Sequence, residues 1–219
     1  MVRAACEVFI VRGYRLTQMA DVASAIGIAK GTLDGYVESK EALFSVCLRH
    51  ADRSEPVTQP DKLPVRTPAR GELTTWVTDQ IRSVGDHPSL RAALDLDRAA
   101  DPRAELESIL GELYDIQERH HRSIKLIDRA VDHPELGSYW QTTGRVTPRT
   151  LLARYIESRI GSGQFRKLPD VRLSARIVIE VIATWAMHIK WDPTPEDFEL
   201  AAARESAIAF LINGLLPDP

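Results

Sequence analysis

The run Leu16-Thr-Gln-Met-Ala-Asp-Val-Ala-Ser-Ala-Ile-Gly-Ile-Ala-Lys-Gly-Thr-Leu-Asp-Gly-Tyr36 carries two short helical periods with a turn between them. Thr17 reads as an N-cap, because its hydroxyl can accept a free amide of the first turn. Met19, Val22, Ala23 and Ile26 follow at i, i+3, i+4 and i+7, which buries one face of a helix. Gly27 stands where a left-handed C-cap residue is wanted. A second helix from Ala29 to Tyr36 is anchored by Ile28, Leu33 and Val37, and Val2 to Arg12 supplies a supporting helix. Two short helices, a tight turn and a support make a helix-turn-helix, whose second helix enters the DNA major groove.

The outward residues suit that task. Lys30 can meet a phosphate, Gly31 admits close backbone approach, and Thr32 can bond a base edge. Tyr36 offers a phenol to a phosphate. Ser39 caps the following helix, and Lys40 reinforces the phosphate attraction of its free amides. From spacing alone, two packing helices of an ordinary bundle fit equally well.

Further residues narrow the choice. Phe9, Gly13-Tyr14, Thr17, Val22-Ala23, Gly27-Ile28-Ala29-Lys30-Gly31-Thr32-Leu33, Tyr36 and Ser39-Lys40-Glu41 fall in register with one family pattern. Over about 45 residues, from Ala4 to Leu48, the chain resembles the N-terminal domain of the TetR family of bacterial transcriptional regulators. The resemblance implies a homodimeric, ligand-responsive DNA-binding protein, usually a repressor. It also implies that Thr17, Gln18, Ala29, Lys30, Gly31, Thr32, Tyr36 and Lys40 face DNA. Asp34 departs from the pattern, which has an aromatic there, and Val37 replaces a phenylalanine. A carboxylate at position 34 repels phosphate unless it accepts from a cytosine amine or turns away.

The rest of the chain reads as helices throughout. Prolines at 56, 60, 64 and 68 make residues 55–70 a linker or extended loop between a head, 1–54, and a bundle, 71–219. Helices are expected over Glu72–Val84 and Ser89–Ala100, then over Arg103–Asp132 as one rod of about 30 residues. Residues 135–147 read as a loop, followed by helices from Pro148 to Arg159, Arg172 to Lys190 and Glu196 to Leu216. The fold class is all-α: a three-helix helix-turn-helix domain followed by a larger helical ligand-binding and dimerisation bundle.

The long stripe meets two polar residues, Gln117 and His120, between Leu113 and Ile124. Either they are satisfied locally, or they anchor a small-molecule effector in a pocket walled by Trp76, Tyr114 and Trp140. The last two helices are the most apolar, which suits a monomer core or a two-fold interface; Ile182, Trp185, Phe210 and Ile212 are the interface candidates.

Composition bounds the alternatives. The 219 residues carry a net charge of -3, which by itself argues against a general nucleic-acid or membrane-surface binder. Residues 1–54, however, hold seven Lys/Arg against six Asp/Glu, a net +1. That is thin for a DNA binder and predicts a shallow salt dependence. Cys6 and Cys47 make no disulfide framework or zinc site, and no membrane span or signal segment is read, so the expected setting is cytoplasmic. One Glu-x-x-His, Glu118 to His121, lacks the second copy that di-iron chemistry needs. Neither an enzyme motif, a metal site nor a cofactor is expected. The sequence reading is therefore a ligand-responsive regulator and not an enzyme, a repressor released from a palindromic operator by a small molecule, with double-stranded DNA, a second copy and a small molecule as partners. A ligand-binding or protein-interaction dimer with a decayed DNA head is the alternative.

Overall fold

The computed structural model describes residues 1–53, 62–84 and 87–217. Twelve α-helices follow one another among them: α1 Val2–Leu16, α2 Met19–Ile26, α3 Lys30–Asp34, α4 Lys40–His50, α5 Glu72–Val84, α6 Pro88–Leu94, α7 Pro102–Arg119, α8 His121–Asp128, α9 Leu136–Tyr139, α10 Val146–Gly161, α11 Val171–Ala186 and α12 Leu200–Leu215. A π-helical turn spans Trp140–Gly144 and a 3-10 turn His188–Trp191. Among the described residues β-structure is limited to one isolated bridge, Val37 to Val65. The chain divides into two compact units, Met1–Gln80 with His120–Thr142, and Ile81–Arg119 with Thr143–Pro219.

In the first unit, the aromatic rings of Phe9, Tyr14 and Phe44 close the centre, with Phe44 edge-on to both others at 5.1 and 5.0 Å. Leu33 and Val37 turn inward from the helix-turn-helix. Burying a side chain such as Leu33 stabilises by about 1.5–3 kcal/mol. Helix α1 kinks at Gly13, whose φ of 78° and ψ of 161° suit only glycine. The kink lets the Tyr14 amide donate to the Arg129 carbonyl at 3.1 Å. The Arg129 guanidinium donates in turn to the carbonyls of Ile10 and Val11, each at 2.9 Å. These bonds satisfy carbonyls that the kink frees.

The expected rod from Arg103 to Asp132 is two helices. His120 leaves helical geometry, with φ -105° and ψ 22°. The Asp52 carboxylate accepts from the amides of Arg122 and Ser123 at 3.0 and 3.2 Å and from the Ser123 hydroxyl. An acidic cap from elsewhere in the chain thus starts α8 afresh. Residues 135–147, read as a loop, are largely helical. The buried His133 ring accepts the Glu135 and Leu136 amides on Nδ1 at 3.3 Å, which opens α9.

Part of the expected linker, residues 54–61 with Pro56 and Pro60, lies outside the described residues. Residues 62–70 are not a free connector. The Val65 amide donates to Tyr36 O at 2.8 Å, Glu38 N donates to Val65 O at 3.0 Å, and Thr67 N donates to the Glu38 carboxylate at 2.7 Å. A short strap therefore runs beside the chain that leaves α3.

In the second unit, α6, α7, α10, α11 and α12 share one apolar core, including Leu110, Tyr155, Ile156, Val178 and Leu211. Helix α6 stops at Leu94 rather than Ala100, because the Arg159 guanidinium takes the Ala93 and Leu96 carbonyls at 2.7 and 3.0 Å. Helix α11 stops at Ala186, and α12 starts at Leu200 rather than Glu196. Phe198 sits edge-on to Trp185 at 5.7 Å, its amide donates to Glu196 O at 3.1 Å in a tight turn, and Glu199 is extended as the N-cap of α12.

Candidate nucleic-acid interface

Gln18 rather than Thr17 is the N-cap of α2; its amide donates to the Asp21 carboxylate at 3.0 Å. Thr17 is buried, and its hydroxyl donates to Gly13 O at 2.7 Å. It therefore fixes the entry to α2 and has no side-chain oxygen turned to solvent, against the expectation that it faces DNA. The turn closes at Gly27, in the left-handed region, as its position suggested.

Helix α3 covers Lys30–Asp34, shorter than the expected Ala29–Tyr36, with Ala29 as its N-cap. Ala29, Lys30, Gly31, Thr32 and Tyr36 are exposed, as is Gln18. A Cβ built on Gly31 would meet nothing within 4 Å, so the glycine leaves an open notch on this outward strip. Leu33, fully buried, and Val37 anchor the strip from behind. The strap on Tyr36 and Glu38 holds its far end.

The cations here are mostly engaged. Lys30 Nζ lies 3.1 Å from the Asp34 carboxylate, with both side chains about half exposed. Arg12 pairs with Asp21 at 3.0 Å, Arg15 with Asp132 at 3.5 Å, and Arg49 with Glu72 at 3.6 Å. Lys40 donates to the Tyr14 and Arg15 carbonyls at 3.0 and 3.3 Å and lies 4.5 Å above the Tyr14 ring. Burial lowers its pKa. Burial, and then the nearby Glu41 carboxylate, push the Tyr14 phenol up to about 12. Lys40 is thus a clamp between α4 and α1 before it is a phosphate ligand. The Ser39 hydroxyl accepts the Ala42 amide at 3.0 Å, as its capping role requires.

The residues expected around an effector have other partners. In the first unit, the Arg49 guanidinium lies 5.0 Å over Trp76, His120 faces Asp52 at 3.5 Å, and the Trp140 indole donates to Asp128 at 3.0 Å. In the second, Tyr114 is buried with the Arg204 guanidinium 5.7 Å over its ring, and Gln117 is half-buried. Of the interface candidates, Ile182 and Ile212 are core residues of this single chain and offer no surface to a partner. Trp185 is half-buried, and Phe210 is 72% exposed. Leu173 and Ile177, apolar positions of the same helix that were not among those candidates, are exposed on α11 and border an open groove with Val181 and Trp185. Among the described residues no three His, Cys, Asp or Glu side chains converge as a metal site, and no helix is long and apolar enough to cross a membrane.

Asp52, Arg129 and His133 were also missed. Each acts on segments 70 or more residues away or on its own turn, and none belongs to a local motif.

Residues 1–47 match the family model for bacterial regulatory proteins, tetR family. No curated protein matches the sequence. Among solved structures, the chain is similar to KstR2, a ketosteroid transcriptional regulator of Mycobacterium tuberculosis. The identity is 19%, with 99% of this chain and 93% of that one covered, at a TM-score of 0.58. The probable transcriptional regulatory protein RHA5900 is 20% identical, with 100% and 97% covered and a TM-score of 0.61. AibR, solved with isovaleryl coenzyme A and operator DNA, is 14% identical, with 96% and 95% covered and a TM-score of 0.55. At these identities the likeness is one of fold, and it extends over both units.

Proposed function

From the match of residues 1–47 to the model of the tetR family of bacterial regulatory proteins, we propose that this chain is a ligand-responsive DNA-binding regulator, a homodimeric repressor released from its operator by a small molecule. The outward strip of Gln18, Ala29 to Thr32 and Tyr36 on a braced helix-turn-helix carries the reading. Such a strip fits a major groove from its exposed side while Leu33 and Val37 hold it from the other.

A second copy would cover the groove edged by Leu173, Ile177, Val181 and Trp185, with Phe210 on α12 as a further apolar contact. Arg176 and Glu180 on the same face suit a two-fold contact, in which each meets its opposite on the partner. Two heads then read a near-palindromic site with half-sites about 34–36 Å apart. Ile177→Glu should yield a monomer in sedimentation; an unchanged dimer would move the interface elsewhere.

The effector would favour a dimer whose heads no longer match that spacing, so operator binding must weaken effector affinity by the same factor. Gln117→Leu and His120→Leu test the two polar anchors expected for it, and unchanged effector affinity in both removes them from the reading. Gel shift of the full chain on its own upstream DNA at low salt tests the function as a whole. A retarded band abolished by Lys30→Ala together with Tyr36→Ala supports it. Failure of the wild type, with binding recovered in Asp34→Tyr, supports instead a dimer whose DNA head has decayed.

A further inference from the structure

Lys30 and Asp34 stand four residues apart on the outward side of α3, with Nζ 3.1 Å from Oδ2 and side chains 60% and 47% exposed. On an isolated helix such a pair is a weak surface contact, readily rearranged. On a recognition helix it is also a donor and an acceptor fixed side by side. Resting on the DNA-binding reading above, we infer that this couple reads a single G·C base pair in each operator half-site.

The major-groove edge of a G·C pair presents guanine N7 and O6 as acceptors and then the cytosine N4 amine as donor. O6 and N4 are hydrogen-bonded to each other, so they lie about 2.9 Å apart, close to the spacing of the couple. The ammonium has three donors, enough for Asp34 and for both guanine acceptors. The carboxylate has lone pairs enough to take the N4 amine while it keeps Lys30. An A·T pair presents adenine N7, the N6 amine and thymine O4 in the order acceptor, donor, acceptor, and then the thymine methyl; with the carboxylate on the central amine, the ammonium beside it reaches only one of the two acceptors that flank it. The couple therefore satisfies more groups on G·C than on A·T. The open notch at Gly31 lets the helix approach closely enough for side chains this short to reach base edges.

This assigns a role to the residue that departs most from its family pattern. Asp34 repels phosphate, yet an acceptor is what a cytosine amine requires. Its carboxylate also keeps Lys30 off the backbone, so the residue exchanges general affinity for discrimination.

The test is selection of randomised duplexes, about three helical turns long, by the full chain at low salt, followed by titration of the enriched duplex and its G·C→A·T derivative. Wild type should enrich a two-fold motif with one fixed G·C pair in each half, and discriminate it about 5- to 150-fold against A·T. Asp34→Ala should lose most of that discrimination at this position alone, while its affinity for unrelated duplex rises and its salt slope steepens by about one unit per head. Its circular dichroism should be unchanged, since the carboxylate is exposed. Failure of the wild type to enrich any motif overturns both this inference and the DNA-binding reading. A reproducible motif with A·T at the position, or one that Asp34→Ala leaves intact everywhere, overturns the inference and leaves DNA binding standing.

Discussion

Two cation–carboxylate pairs show how differently the two units use the same chemistry. On the head, Lys30 and Asp34 meet in solvent, about half exposed. In the bundle, Arg159 is fully buried and donates to Glu105 through Nε at 2.7 Å and Nη2 at 3.1 Å. Its other bonds go to the Ala93 and Leu96 carbonyls and the Ser158 hydroxyl, and the Tyr155 hydroxyl donates to the same Glu105 at 3.0 Å. The exposed pair can exchange partners at little cost, because water and salt compete for both ends. The buried one cannot, because no solvent replaces a lost partner. On the proposed reading, a surface that offers its side chains to DNA carries the first kind, which can add partners at little cost; a core that must hold helix ends together carries the second.

The comparison breaks most visibly at Arg159. Arg159→Met should destabilise the chain by about 3–5 kcal/mol in urea unfolding, since Glu105 and two carbonyls lose their donor. Lys30→Ala should cost less than about 0.5 kcal/mol in the same measurement. Equal losses would mean that the exposed pair is structural, and would remove the ground for treating it as free to meet DNA.

How much of this was legible in the sequence follows from the distance over which each feature acts. The helix-turn-helix could be read because Met19, Val22, Ala23, Ile26, Gly27 and Leu33 signal within about one turn of each other. The polar clips could not. Asp52 caps a helix 70 residues on, Arg129 closes on Ile10 across 119, and Arg159 reaches back 54 to Glu105. Nothing local marks such residues. Asp52 did, however, leave a trace, since the apolar stripe falters at His120, where α8 is recapped. Interface faces were illegible for another reason. Helices α11 and α12 are apolar on several sides, so Ile182 and Ile212 could not be told from Leu173 and Ile177 until their packing was known. Asp34 was legible as an anomaly; that it holds Lys30 needed the structure.

A middle-sized effect lies at the kink of α1. A Cβ on Gly13 would meet the Arg129 carbonyl at 3.2 Å and sit on a backbone that L-residues avoid. Gly13→Ala should cost about 1–3 kcal/mol. It should also speed amide exchange at Tyr14, whose amide is bonded to that same carbonyl. Exchange in α10 should lag behind, since Arg159 and its partners are untouched. Uniform acceleration along the chain would show one cooperative structure instead of two sites of distinct strength.

The smallest effect concerns which buried group can change its charge. The bundle buries an arginine, whose pKa is raised by its hydrogen bond to Glu105. The first unit buries His133 between Tyr14 and Phe44, at 4.6 and 5.7 Å between ring centroids. Burial lowers the pKa of His133; Glu135 opposes that and Lys40 adds to it. A histidine lowered in the folded state leaves the unfolded chain binding more protons, so its contribution is present above the unfolded value of 6.5 and is lost as pH falls through the folded value. One proton gives a slope of at most about 1.4 kcal/mol per pH unit, over the interval between the two values. Asp52 also loses its contribution on acidification. Burial would raise its pKa, but hydrogen bonds from His120 and Ser123 prevail and lower it, so that loss falls below the ordinary carboxylate range. Between pH 7 and 5, amide exchange at Leu136, which His133 caps, should therefore quicken before that of α10. In His133→Phe the exchange should be faster at every pH, because the acceptor is gone, and the pH dependence that sets in below 6.5 should vanish. A pH response that survives the substitution would assign the titration to another group.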